Sequence, residues 1–326
     1  MNTKNSKAVS QGLKNSNAEA TQVTKKQKKA ANMDRPTLKS SLKAYLYLLP
    51  ALAIIAVFSI YPIFRSFEMA LWTDYTFITR TAHEYGFDNF VTLFNDARFW
   101  LALRNTGTFV AGVVPLQIII SLCIAMMLNS KIKFKGLFRS IYFLPFVTSV
   151  IAISMVWQFI FHEHNGILND FIGIFGFDPI PWLGRPEYAM TSLIIMSIWS
   201  GLGFNIVILL AGLQNVNEGL HLAAKVDGAN AWHRFTTVVL PALSPTLFFI
   251  SIMSVISSFR VFGSVFALFQ GDAGPANSAL TMVFYVWQTF QNRSLGVSSA
   301  AAVVLFVIIL FFTAIQMFVG KKLVHY

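Results

Sequence analysis

Charge is what this 326-residue chain has least of: Asp, Glu, Lys and Arg make up 12% of it, about half the share usual in soluble domains. Acidic residues are scarcer still, 14 against 25 Lys and Arg. There is a single cysteine, Cys123, inside an apolar run. That excludes a disulfide framework and any cysteine-built metal centre, and a buried, inert thiol is expected. Sequence motifs of catalysis are missing as well. No GxSxG elbow, HExxH helix or phosphate-binding GxxxxGK[ST] loop occurs, so no catalytic residue is assigned. His162, Glu163 and His164 stand together, but no further ligand lies at helical spacing, and a solvated surface rather than a metal site is expected.

What the chain does have is hydrophobic length. Hydrophobic residues are 55% of the total, Phe alone 32 of them. A bilayer core is crossed by about 20 apolar residues in a helix. Nearly uncharged runs of that size lie at 44–64, 106–128, 140–161, 189–212, 240–259 and 296–320. Each run is continuously apolar, without the period-2 alternation of a barrel strand, so helices are expected. The predicted fold is an all-α integral membrane protein with six transmembrane helices. Asp and Glu are absent from all six runs. Intramembrane acids usually mark proton or ion relays, so a proton-driven pump is not expected and any energy source must come from another subunit.

Cations alternate along the chain. Lys25, Lys26, Lys28, Lys29, Arg35, Lys39 and Lys43 precede the first run; Lys131, Lys133, Lys135 and Arg139 join the second to the third; Lys321 and Lys322 follow the last. The connection 162–188 instead carries Glu163, Asp170, Asp178 and Glu187 against Arg185. By the positive-inside rule both termini are cytoplasmic, and 162–188 is external. Residues 1–40 hold nine of the Lys and Arg residues and almost nothing large and apolar. They read as a disordered basic cytoplasmic tail drawn to anionic lipid rather than to nucleic acid. The first apolar run starts too late and is too long for a cleavable signal, so it should remain as a span. Residues 41–326 form the six-span domain.

One cytoplasmic connection, at about 213–241, interrupts this apolar plan; the stretch 220–245 reads LHLAAKVDGANAWHRFTTVVLPALSP. Leu220, Ala223, Ala224 and Asp227 share one face of a short helix, with Asn217 as its N-cap and Glu218 in its first turn. Gly228 permits a sharp reversal. A second short helix should place Trp232, Phe235 and Val239 on one side, with Pro241 and Pro245 at the entry to the fifth span. A hairpin resting on lipid headgroups and a docking element both fit this pattern.

The stretch resembles the cytoplasmic signature loop of ABC importer permeases: Glu-Ala-Ala, three residues, Gly, nine residues, an aliphatic, one residue, Leu-Pro. Ala223, Ala224, Gly228, Val238, Leu240 and Pro241 stand in register, and Asp227-Gly228-Ala229 is similar to the sugar-importer version. Leu222 occupies the usual Glu position, which bears on any charged contact there but not on the docking shape; Asn217 stands where a Pro is common. YLLPALAIIAVFSIYPIFRSF, GFDNFVTLF, NGILNDFIGIFG and FRVFGSVFALFQGDAGPANSALTMVFYVWQTF resemble parts of permeases for maltose and glycerol phosphate. The resemblance implies a coupling helix that docks on an ATPase. Leu222, Ala223, Ala224, Asp227, Gly228, Ala229 and Pro241 would form that contact. It further implies a second, similar permease, a cytoplasmic ATPase dimer that binds the ATP and Mg, and an external or periplasmic solute-binding protein. The permease itself would carry no cofactor and no enzymatic activity.

Polar groups inside the spans are candidates for a substrate path, because burying them in lipid is costly unless function or pairing retains them. Asn205, Ser257, Ser258 and Arg260 are the leading ones, with Gln117, Ser121 and Ser254 beside them. Each also has an ordinary reading as an interhelical hydrogen-bonding or snorkelling side chain. The expected cargo is a carbohydrate, with a glycerol phosphodiester or sugar phosphate as the alternative. An intramembrane enzyme would need a buried nucleophile–base pair, which the spans lack. Gly271, Gly274 and Pro275 in the last external connection should form a fixed turn.

Overall fold

The computed structural model describes residues 38–73, 84–130 and 133–323. The tail expected over residues 1–40 falls almost wholly outside them. Two compact units are present, Met1–Arg65 and Ser66–Tyr326. The described part of the first is helix α1, Leu38–Ile55, a π-helical turn, Ala56–Ile60, and the start of α2, Tyr61–Ala70. In the second, strands β1, Trp72–Thr73, and β2, Glu84–Tyr85, pair antiparallel. Helices α3, Asp88–Asn95, α4, Ala97–Asn129, α5, Lys135–Val147, α6, Val150–Ile160, and α7, Ile167–Gly173, follow. Then come α8, Pro186–Gln214, α9, Glu218–Val226, α10, Ala231–Arg234, a second π turn, Phe235–Val239, and α11, Leu240–Phe259. The chain ends with α12, Gly263–Leu268, α13, Met282–Gln291, and α14, Leu295–Leu323.

Five stretches are long and apolar enough to cross a bilayer as single helices: Tyr45–Ala70, Ala97–Asn129, Pro186–Gln214, Ala231–Phe259 and Leu295–Lys322. The sixth expected span, 140–161, is not one rod. Helices α5 and α6 meet at 105°. Pro145 lies in the last turn of α5 and cannot donate to the carbonyl four residues back. Beyond it Thr148 is extended, at φ −82° and ψ 147°, and its hydroxyl donates to the Leu144 carbonyl at 2.7 Å, satisfying an orphaned helix-end acceptor. The span count of six holds if this bent pair is one crossing.

Both π turns stand in the same register to a proline. Ala56–Ile60 is followed by Tyr61 and Pro62, and Phe235–Val239 by Leu240 and Pro241. The Tyr61 and Leu240 amides donate to Ala56 and Phe235, five residues back. A proline in a helix removes one donor and pushes against the carbonyl four residues earlier. Widening the turn just before it relieves that crowding without breaking the rod.

Helices α4 and α8 form the centre of the second unit. A Cβ at Gly112 would come within 2.9 Å of Ile194, and one at Gly201 within 1.7 Å of Gln117 Nε2. The contacts advance together along both helices, so the two run parallel, with side chains of one filling the space left at glycines of the other. Gly203 plays the same part toward α5. Between lipid-immersed helices there is no hydrophobic gain from association, so such close packing is the main attraction. Cys123, expected to be buried, is exposed on the surface of α4, which a thiol tolerates in an apolar setting.

The end of the helices remote from the α9–α10 connection is cross-linked by hydrogen bonds. Asp96 caps α4 by accepting from the Arg98 amide at 2.8 Å and also accepts from the Tyr285 hydroxyl at 2.7 Å. Burial, then that bond to Asp96, holds the Tyr285 phenol protonated far above its ordinary range. Met282 donates its amide to Thr106 Oγ1 at 2.9 Å, and Asn105 Nδ2 donates to the Asn277 carbonyl at 3.1 Å. A bond to an ionised acceptor contributes about 1.5–3 kcal/mol. Tyr285→Phe is therefore expected to lower the unfolding free energy by about that amount, while Asp96→Ala, which loses the cap too, costs about 1 kcal/mol more. Thermal denaturation of the purified variants in detergent checks the order; equal stability of Tyr285→Phe and wild type would show the clamp to be idle.

Candidate functional site

The α9–α10 connection forms locally as its residues dictate. Asn217 accepts from the Gly219 amide at 2.8 Å and starts α9; Asn230 accepts from the His233 amide at 2.8 Å and starts α10. Between them the chain reverses at Gly228, which has φ +76°, the left-handed region where a side chain is penalised. The Ala229 amide donates to Ala224 at 2.9 Å and the Gly228 amide to Lys225 at 3.2 Å, so the last carbonyls of α9 are satisfied. Ala224, Asp227, Gly228, Ala229 and His233 line a concavity of about 470 Å³ in the crook of the turn.

The expected second helix of the hairpin is not a separate element. Helix α10 is four residues long and passes through the π turn into α11, so Ala231–Phe259 is one continuous rod. Thr236 and Thr237 donate hydroxyls back to the His233 carbonyl at 3.2 and 2.6 Å, holding the wide turn. Any force on α9 and Gly228 is thus one capped turn away from a membrane helix. Large apolar side chains are bare on this connection: Leu220, Leu222, Val226 and Trp232 are 54%, 64%, 87% and 72% exposed. Ala223 and Asp227 are exposed, Ala224, Ala229 and Pro241 partly buried. An exposed segment holding this much apolar surface has the composition of a contact surface.

The polar span residues do not share one environment. Asn205 is 2% exposed, with its Nδ2 donor buried and unpaired among the described residues. Ser121 Oγ is in the same condition. Ser258 is buried, whereas Ser257 is exposed and donates to the Ser254 carbonyl at 3.1 Å. Arg260 is exposed and caps α11. Gly271 and Gly274 have φ of +91° and +76°, with Pro275–Asn277 a short 3₁₀ turn, so the last loop is folded back on itself.

At the end of α8 remote from the turn lies a depression of about 380 Å³, lined by Gln158, Phe161, His162, Glu163, Trp182 and Gln270 among others. None of the four leading span residues lines it. His162 Nδ1 accepts from the His164 and Asn165 amides at 3.3 and 3.2 Å. Among the described residues no three of His, Cys, Asp and Glu gather as a metal site. Composition alone did not flag this depression, because it joins the end of α6 and the 162–188 connection to Gln270 of a later connection.

Long apolar helices packed through glycines, with one capped turn of exposed apolar surface between two of them, define a helical membrane protein. More specifically, the chain belongs to the binding-protein-dependent transport system inner membrane component family, whose model matches residues 117–325. It is 39% identical over 285 residues to the lactose transport system permease protein LacF of Rhizobium radiobacter, covering 84% of this chain and 93% of that one. It is 31% identical over 277 residues to the trehalose/maltose transport system permease protein MalF of Thermococcus litoralis, covering 85% and 93%. Its fold matches, at TM-score 0.76 and 23% identity, a chain of a bacterial ABC transporter involved in the import of the acidic polysaccharide alginate, covering 88% of this chain and 98% of that one.

Proposed function

We propose that this protein is a non-catalytic permease subunit of an ATP-driven importer that moves a sugar or oligosaccharide into the cytoplasm. The observation that carries the reading is the capped turn at Gly228, rigidly continuous with α11 and bare on its apolar face. A cytoplasmic ATPase dimer closing on ATP and Mg would push on this turn, and the continuous rod Ala231–Phe259 would carry the displacement into the bilayer. Leu222, at 64% exposure, gives the contact apolar character where the resembled loop has Glu. A second permease and a solute-binding protein complete the assembly. Both termini are cytoplasmic in this reading. The relatives named for lactose and for trehalose/maltose transport support a carbohydrate cargo. The alternative, a glycerol phosphodiester or sugar phosphate, rests on Arg260, an exposed cation beside the fifth span.

Deleting the chain from its host should abolish uptake of one or more labelled sugars from a panel of lactose, maltose, trehalose and arabinose oligosaccharides, and re-expression should restore it. An ATPase and a second six-span protein should copurify. Uptake of every sugar unaffected by the deletion, with labelled glycerol phosphodiester uptake lost, would transfer the assignment to the alternative cargo.

A further inference from the structure

The depression beside Trp182 is not used by the coupling reading, and its side chains are prepared for a ligand. Trp182 is fixed at both ends: its indole N–H donates to Asn169 Oδ1 at 2.9 Å, and its carbonyl accepts from Ser192 Oγ at 2.9 Å. Its ring leans on Phe161, with centroids 5.7 Å apart, and Phe161 leans on Trp157 at 4.9 Å. Gln158 spends its amide N–H groups on the Ala267 and Leu268 carbonyls, at 2.8 and 3.1 Å, which leaves its oxygen as an acceptor. His162 takes two backbone N–H groups on Nδ1, which leaves Nε2–H as the donor of the ring. The exposed Glu163 carboxylate adds two acceptor oxygens.

We propose that this depression is a binding subsite for one neutral pyranose unit of the cargo. The inference rests on the carbohydrate-permease reading, which places this end of α8 on the external face. The chemistry matches in four respects. The C–H edge of a sugar ring carries partial positive charge and packs on the electron-rich face of an aromatic ring. Vicinal hydroxyls need acceptors and a donor at short range, and Gln158, Glu163 and His162 supply both kinds. A volume of about 380 Å³ lies at the small end of ligand pockets, about 300–1,000 Å³, which suits a single ring and not a protein segment. Finally, no Lys or Arg lines the depression while Glu163 does, so a phosphate or uronate would meet repulsion rather than a counter-ion. Because Trp182, Gln158 and His162 are held by bonds outside the depression, little ordering cost attends binding.

Glu163→Gln alters an exposed side chain, so folding should be unaffected; His162→Ala also removes the acceptor of the His164 and Asn165 amides, so thermal unfolding is measured beside it. Ligand-observed saturation-transfer NMR of the purified full-length chain, with lactose, maltose and trehalose as probes, should show transfer to ring C–H protons in the wild type. Either substitution should weaken it. In the assembled importer each should raise the KM for uptake about tenfold, the loss of one hydrogen bond to the sugar, while kcat stays near wild type. No transfer from any of the probes, or an unchanged KM in the double variant, would overturn the subsite while leaving the permease reading intact. Absence of sugar uptake by the wild-type importer would instead strike the permease reading.

Discussion

Gly228→Val is expected to yield a protein that inserts normally in the membrane but holds its ATPase weakly and transports little. The residue sits at φ +76°, and a Cβ there would meet nothing within 4 Å. Steric room is therefore not the issue. The backbone conformation is, and a β-branched residue in the left-handed region costs about 1–2 kcal/mol. The cheapest relief is to rotate φ, which swings α9 against α10 and breaks the Ala229 and Gly228 amide bonds that close the turn. Since α10 continues into the rod Ala231–Phe259, the displaced part is α9 with its bare Leu222 and Val226. Gly228→Asn, whose side chain tolerates this region, should retain most of the transport. Variants are compared at equal membrane abundance by ATPase copurification and sugar uptake. If Gly228→Val keeps its ATPase and transports like wild type, the turn is not the coupling element and rests on the headgroups instead.

The hairpin was legible because its signals are local. Asn217, Gly228 and the spacing of Ala223 and Ala224 act within a few residues, and the cap and the left-handed turn lie where those residues stand. The single-helix reading of 231–259 was not legible from Pro241, since proline ordinarily marks a helix start. The π turn that lets the rod run through it depends on Leu240 reaching back to Phe235. The break in 140–161 failed for a related reason. Hydropathy sees a continuous apolar run, whereas the backbone reverses where Pro145 and the extended Thr148 follow one another. Sites built across the fold were the least visible. The Asp96–Tyr285 bond and the Trp182 depression each join residues from separate connections, and no spacing rule links them. Asn205 was found as a residue but not as an environment: polarity in a span marks it, while its burial between helices follows only from packing.

Gly203→Val should be the most damaging substitution to folding. Helix α5 lies against α8 at this point so closely that a Cβ on residue 203 would be 2.4 Å from the Tyr142 carbonyl oxygen and 3.2 Å from Phe143 Cα. Those obstacles are backbone, not the far end of a side chain, so the rotamer adjustments that absorb most overpacking are not available. Overpacking a tight core costs about 1–3 kcal/mol, and here the whole of α5 must retreat, which also pulls the Phe146–Phe204 ring contact, 5.4 Å between centroids, out of register. In lipid nothing hydrophobic holds the separated helices together. Because α5 is the first limb of the bent pair, its seat on Gly203 also sets where the chain turns by 105° toward α6. Gly107→Val is the matched control. That glycine is exposed on α4, with nothing within 4 Å of its Cβ position, and valine is no worse than glycine in a helix. Thermal unfolding of both purified variants in the same detergent should show a large fall for Gly203→Val, with folded protein hard to recover, and a shift within about 0.5 kcal/mol for Gly107→Val. Alanine at 203 should fall between them, since one methyl already reaches the Tyr142 carbonyl. Equal stability of Gly203→Val and Gly107→Val would mean that α5 is not seated on α8 at this glycine, and the 105° turn would need another anchor.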